Sequence, residues 1–329
     1  MTAPLPFFKL RPAGKDYLWG GTRLRDDFHK DIALTPLAET WECSTHPDGH
    51  SCVVGGEFDG RSLKELLAAH PDYAGSRVET TEGELPILVK FIDAEHDLSV
   101  QVHPNDAYAR EHEAGQKGKS EMWYVVDASP EAELVYGLSQ STDADELRRS
   151  IAQGSLESYL RRIRVHKGDV FYIPAGTIHA IGKGALVVEV QQSSNLTYRL
   201  YDYNRRDREG RLRPLHIDKA LAVAELHGLQ EPCQPRRILH SLPGITSEQL
   251  CYCPYFRVEH LKVDTRSARE AELQPIEGSF SVLLCVDGGG TLRSGDYTQP
   301  FLKGECIFIP AVCPAIEISG AAELLRISC

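Results

Sequence analysis

The chain of 329 residues contains a repeat of its own. Lys167-Gly-Asp-Val-Phe-Tyr-Ile-Pro-Ala175 and Lys303-Gly-Glu-Cys-Ile-Phe-Ile-Pro-Ala311 share the pattern K-G-x4-I-P-A. Upstream of each, an apolar run closes on an acid: MWYVVD at Asp127 and VLLCVD at Asp287. A β-unit used twice confines the chain to two related halves. Other short runs are rich in Val, Ile, Tyr and Phe and bounded by turn residues, as strands are: PILVKFI (86–92), LSVQVH (98–103), AELVYGL (132–138) and ALVVEVQ (185–191). Helical signals are local. SLKELLAAH (62–70) carries a capping-box spacing, DADELRRSIAQG (143–154) starts acidic and ends on Gly, and LHIDKALAVAEL (215–226) is a third candidate. The pattern predicts a mainly β fold with helical insertions. The Pro-rich stretch 231–244 reads as a linker, which places a first domain at 1–232 and a second at 233–329.

The halves differ in their chemistry. His179 follows the first repeat, and the position in step with it after the second is Ala315. Glu121 begins the strand before the first repeat, where Ser281 is the counterpart. The second half is therefore expected to be structural.

Asp plus Glu total 47 against 36 Lys plus Arg, a formal net charge of −11. Such a chain repels nucleic acid and anionic lipid, and an anionic substrate needs a local basic pocket. No apolar run is long enough to cross a membrane, and the first residues lack a signal-peptide pattern, so a cytoplasmic location is expected. The nine cysteines form no framework and read as reduced thiols; Cys251-Tyr-Cys253 alone makes a poor zinc site.

Chemistry concentrates in the first half. Gly168-x5-Pro174-x-Gly176-x2-His179 puts a histidine just after a Pro–Gly turn. Alternation sets Gln101 and His103 on one strand face, and Lys119 and Glu121 on another. His103, Glu121 and His179, with Gln101 a possible fourth, make a mixed nitrogen and oxygen set. It suits Zn²⁺, with Fe²⁺ or Mn²⁺ not excluded. The same alternation brings Trp123 to the face of Glu121, while Trp19 and Trp41 read as packing residues. Around Tyr198-Arg199 the chain turns Arg-rich. Arg205, Lys183 and Lys119 are phosphate candidates. Arg206, Arg208, Arg211 and Arg213 read as a solvated loop, whereas Arg199 sits in an apolar, aromatic context.

The turn motif at 168–179 resembles the second motif of the cupin family, except that Lys183 stands where Asn is usual. Leu18-Trp-Gly-Gly21, Glu39-Thr-Trp-Glu42, Gln101-Val-His-Pro104, Lys119-Ser-Glu-Met-Trp-Tyr124, Ile173-Pro-Ala-Gly-Thr-Ile-His-Ala180 and Gln191 to Asp202 are similar to segments of type I mannose-6-phosphate isomerases, in their short bacterial form. The resemblance implies two cupin (jelly-roll) β-barrels with helical insertions. It implies one zinc per chain at Gln101, His103, Glu121 and His179, and catalytic roles for Lys119 and Arg199. It also implies an isomerase of carbohydrate metabolism that acts on a sugar phosphate as a monomer or homodimer. Four residues before Arg199 the family usually has Asp, and this chain has Asn195, which cannot take a proton as a carboxylate does. A metal-dependent cupin oxygenase and a non-catalytic sugar-phosphate-binding cupin stand as the alternatives.

Overall fold

The structure is a computed structural model describing residues 6–78, 80–207, 209–229, 231–267 and 270–329; Arg208 lies outside these. Among the described residues, strands dominate and assemble into a ten-stranded, a six-stranded and a five-stranded sheet. The expected strands form where the apolar runs predicted them, including Ile87–Asp93, Val100–Val102, Glu121–Ala128 and Ala185–Gln192. The helices follow their end signals. Leu63–Ala69 starts on a complete capping box from Ser62 and Glu65, and Ala144–Gln153 runs from an Asp143 cap to Gly154 in the left-handed region. Ile217–Val223 is the third.

The six-stranded sheet is the centre of the molecule. Its strands run in the order Val170–Ile173, Glu121–Ala128, Ala185–Gln192, Ile87–Asp93, Glu39–Cys43, Ala13–Lys15. Period-two alternation gives it two buried faces. Met122, Tyr124, Phe91 and Val188 pack against Val258, Leu284, Phe308 and Leu325 of the ten-stranded sheet. Trp123, Val125, Ile92 and Val187 turn the other way, onto Leu134, Tyr136 and Ile181 of the five-stranded sheet. The second half has its own interior, built from Leu261, Leu283, Cys285, Ile307 and Leu324.

The internal repeat is a structural one. Ile173 pairs with Glu121 in the first half, and Ile309 pairs with Ser281 in the second. Two features depart from the simple division at 232/233. Strands Phe8–Arg11 and Cys52–Val54 join the second-half sheet through Cys306–Ile309, so the N-terminal segment straddles both halves. The stretch expected to be a linker contains strand Arg237–Leu242, which pairs with Ile245–Tyr252 at the sheet's edge. Its Pro and polar residues mark an exposed edge as readily as a linker.

A buried ion pair fastens the N-terminal segment to the second half. Lys30 Nζ lies 2.7 Å from the Glu42 carboxylate and also donates to the Gly304 carbonyl. Both side chains are almost fully buried. Removing one partner leaves a buried charge uncompensated. Lys30→Met should lower unfolding stability by about 3–5 kcal/mol in denaturant titrations, and Lys30→Met with Glu42→Leu should recover much of the loss. Equal stability of the single variant and wild type would show the pair to be dispensable.

Candidate metal centre and active site

Three separate stretches of chain deliver ligand-type atoms to one point. His103 follows strand Val100–Val102, Glu121 opens strand Glu121–Ala128, and His179 opens strand His179–Ile181. Their ligand atoms all lie within 4.8 Å of one another, the only such group of three or more His, Cys, Asp or Glu residues among the described residues. All three are at most 1% exposed.

The orientation of the rings suits a cation. His179 Nδ1 donates to the Thr177 carbonyl at 2.8 Å, which leaves the Nε2 lone pair facing Glu121 Oε1 at 3.4 Å. His103 Nε2 accepts from Lys119 Nζ at 3.1 Å and lies 3.5 Å from Glu121 Oε2. His179 Nε2 and Glu121 Oε1 are buried and have no hydrogen-bond partner. Orphaned buried acceptors of this kind are costly unless a cation satisfies them. The donor set, two neutral imidazoles and a carboxylate, therefore fits a divalent metal. Gln101 sits in register between His179 and Arg199 on neighbouring strands and lines the adjoining cavity.

Burial, and then the Lys119 ammonium, push the His103 imidazole down to about 3. Burial also lowers His179. Burial alone would raise Glu121, but the Lys119 ammonium and the two histidines outweigh it and hold the carboxyl well below its ordinary range. Near neutral pH the set is thus two neutral rings and an ionised carboxylate.

A cavity of about 300 Å³ opens beside this cluster. Its wall includes Gln101, Lys119, Asn195 and Arg199, along with Glu39, Lys90, Glu189 and Arg213. Arg199 is held by Nε to Ser99 Oγ at 3.3 Å and by Nη1 to the Pro214 carbonyl at 3.0 Å. Burial, followed by the charge of Arg213, lowers its pKa, yet a guanidinium stays protonated at any working pH.

Several expectations shift. Arg205 does not line the cavity; its guanidinium is spent on the Asp97 carbonyl and the Asp202 carboxylate. Arg213, expected in a solvated loop, is on the cavity wall, fixed by Nε to Asp202 Oδ2 at 2.7 Å. Lys183 is absent from that wall. Trp123 does adjoin the site, its ring 5.4 Å from that of His179. Trp19, expected only to pack, lines the cavity as well. Asn195 donates to Asp48 Oδ2 at 2.7 Å, where an Asp would meet a like charge.

Sequence reasoning does not single out the buried carboxylate Glu189. Its Oε2 accepts from Trp123 Nε1 at 3.0 Å, while Oε1 lies 3.1 Å from Lys90 Nζ and 3.6 Å from Lys119 Nζ. Charged residues inside the apolar runs ALVVEVQ and PILVKFI are the available signal for Glu189 and Lys90.

Comparison with known proteins gives the chain its relatives. A family model for the catalytic domain of phosphomannose isomerase type I matches residues 7–140, and one for the cupin domain of mannose-6-phosphate isomerase matches residues 246–329. The chain is 40% identical over 327 residues to mannose-6-phosphate isomerase ManA of Bacillus subtilis, covering 98% of each. It is 37% identical over 308 residues to the mannose-6-phosphate isomerase of Streptococcus mutans, covering 94% of this chain and 93% of that one. The crystal structure of the Bacillus subtilis mannose 6-phosphate isomerase superposes with a TM-score of 0.91 at 37% identity, over 98% of this chain and 99% of that one. A zinc-bound mannose 6-phosphate isomerase shares the fold, with a TM-score of 0.76 at 18% identity over 98% of this chain and 99% of that one.

Two outcomes follow from the cluster's geometry and charge. His179→Ala should leave the protein folded but reduce its bound divalent metal to a trace by elemental analysis; undiminished metal would remove His179 as a ligand. In metal-free protein the unfolded chain takes up protons below the ordinary imidazole value of 6.5 that folded His103 refuses until about 3. Stability should therefore fall as pH drops through that window, and His103→Gln should flatten the slope of urea midpoint against pH. An unaltered slope would contradict the burial of a neutral His103.

Proposed function

Because the chain belongs to the type I phosphomannose isomerases and interconverts mannose 6-phosphate with fructose 6-phosphate, we propose that the reaction takes place in the cavity beside His103, Glu121 and His179, with one zinc ion held by these three and Gln101. The observation that carries this is the buried triad, joined through Lys119 to a cavity that Gln101, Lys119 and Arg199 line. Family membership favours the isomerase over an oxygenase or a mere sugar-phosphate binder.

The reaction opens the sugar ring and moves a proton between C2 and C1, and its hardest demand is stabilising the enediolate. Bound zinc would supply Lewis acidity toward the substrate's oxygens. The chain's own groups divide the remaining work. Arg199, permanently cationic and fixed by Ser99 and Pro214, offers charge where the enediolate oxygens become negative. Lys119 presents an ammonium to the same space and can pass a proton to a substrate oxygen. Glu189 is a buried carboxylate on the cavity wall, its Oε1 3.1 Å from Lys90 Nζ and 3.6 Å from Lys119 Nζ, and it is the group we assign to take the carbon-bound proton. Asn195 cannot do so. Instead it ties the cavity rim to Asp48.

We assign the phosphate to the part of the cavity wall that carries Arg213, which Asp202 steadies in a chain that is acidic overall.

In a coupled assay that follows fructose 6-phosphate formed from mannose 6-phosphate, activity should disappear with chelator and return with zinc. Full activity in metal-free protein would refute the zinc reading. Glu189→Gln should lower kcat by about 10²–10⁴-fold with KM little changed, as expected for loss of a general base. Arg199→Ala should lower kcat by about 10²-fold or more with bound metal retained. Wild-type turnover in either variant would dismiss the role given to that residue.

A further inference from the structure

Lys119 and Glu121 flank Ser120, which alternation turns away from the cavity. This buried serine is the junction of a hydrogen-bond network. Its backbone N–H donates to Gln192 Oε1 at 2.8 Å, and its hydroxyl accepts from the Ala175 N–H, in the turn that leads to His179, at 3.2 Å. Gln192 Nε2 donates in turn to the Asp106 carboxylate, 3.0 Å from Oδ1 and 3.3 Å from Oδ2. Asp106 Oδ1 also accepts from the Gly118 N–H at 2.8 Å. A Cβ on Gly118 would come within 2.5 Å of the Asn105 and Asp106 backbone, so only glycine permits this approach. Lys119 N–H donates to the Pro104 carbonyl at 3.0 Å, and Gly176 N–H to the His103 carbonyl at 2.9 Å. All three segments that carry the triad are thus sewn to one another on the side away from the cavity.

The second half comes up against this network. Tyr255 lies in the turn between strands Ile245–Tyr252 and Arg257–Asp264 and packs on the shared core, where burial and then the Asp106 carboxylate raise its hydroxyl pKa. Tyr172, of the strand that pairs with Glu121–Ala128, packs in the same core as Cys253 of that turn.

We infer that Gln192 and Asp106 are positioning residues for the metal centre, with Tyr255 of the second half packed beside Asp106. The inference rests on the metal reading above. None of the three residues belongs to the triad or lines the cavity. They act on where the backbone of 118–121 holds Lys119 and Glu121, and groups that orient metal ligands are commonly worth 10–100-fold in affinity.

The polarity of the network gives a reciprocal test. Gln192→Glu keeps the acceptor for Ser120 but sets a carboxylate against Asp106. Asp106→Asn either sets its NH2 against Gln192 Nε2 in place of Oδ2 or, if the new amide flips, takes the oxygen away from Gly118. When Asp106→Asn and Gln192→Glu are combined, the amide at position 106 would donate to the carboxylate at position 192. Its oxygen would still accept from Gly118, so the bond between the two side chains is restored with its direction reversed. Zinc affinity would be measured by competition with a chelating dye, kcat and KM by the coupled assay, and folding by thermal unfolding.

Each single variant should bind zinc about 10-fold or more weakly, with a lowered kcat that excess zinc partly restores. The double variant should return to within about 3-fold of wild type in affinity, and Tyr255→Phe should show a smaller loss of the same kind. Single variants that match wild type in affinity and kcat would overturn the inference, as would a double variant no better than the singles. A wild-type protein that takes up no zinc would overturn the metal reading and this inference together, whereas zinc-binding wild type with unaffected variants would overturn this one alone.

Discussion

Placing a carboxylate and two imidazoles in a water-free interior is unfavourable unless their lone pairs have a use, and the architecture is arranged around that constraint. Glu121, His103 and His179 are buried more completely than many of the apolar residues near them. Lys119 supplies one positive charge to the cluster, while Glu121 Oε1 and His179 Nε2 still lack partners. Tight packing on the far face of the six-stranded sheet and the hydrogen bonds at Ser120 hold these groups together. A site assembled from rigid strand ends in this way is preorganised for one cation and for charge that develops on a substrate.

The two halves show what the repeated frame tolerates. Lys90 and Glu189 pair across neighbouring strands in the first half. At the matching register of the second, Glu259 faces Arg326, so an anion and a cation are kept with their strands exchanged. Arg326 is tied to Ser281, the residue in step with Glu121, and to the Gln274 carbonyl. In the second half these polar groups are tied to one another, whereas the first keeps Glu121 Oε1 and His179 Nε2 without partners. The second half meets the first through the large shared core.

Much of this was legible in the chain itself. Strand positions follow from apolar runs, and the triad from alternation together with one Pro–Gly turn, because period-two geometry is local and nearly invariant. The wall of the cavity was less legible. Arg213 and Arg205 stand in one Arg-rich tract, and only the fold decides that Asp202 turns the first toward the cavity while Asp97 and Asp202 occupy the second. The Asn195–Asp48 contact spans 147 positions and leaves no local trace. Likewise, nothing near Phe8–Arg11 signals that it pairs with Cys306–Ile309, since strand partners distant in sequence are set by tertiary packing.

The central claim is that these buried groups share one metal ion at the reacting centre. Crystallographic anomalous scattering at the zinc edge, on protein whose activity has been measured, tests it most directly. The predicted result is a single strong peak about 2.0–2.2 Å from ring nitrogens of His103 and His179 and from a Glu121 oxygen. Fully active crystals with no peak there, or with the metal bound elsewhere, would contradict it.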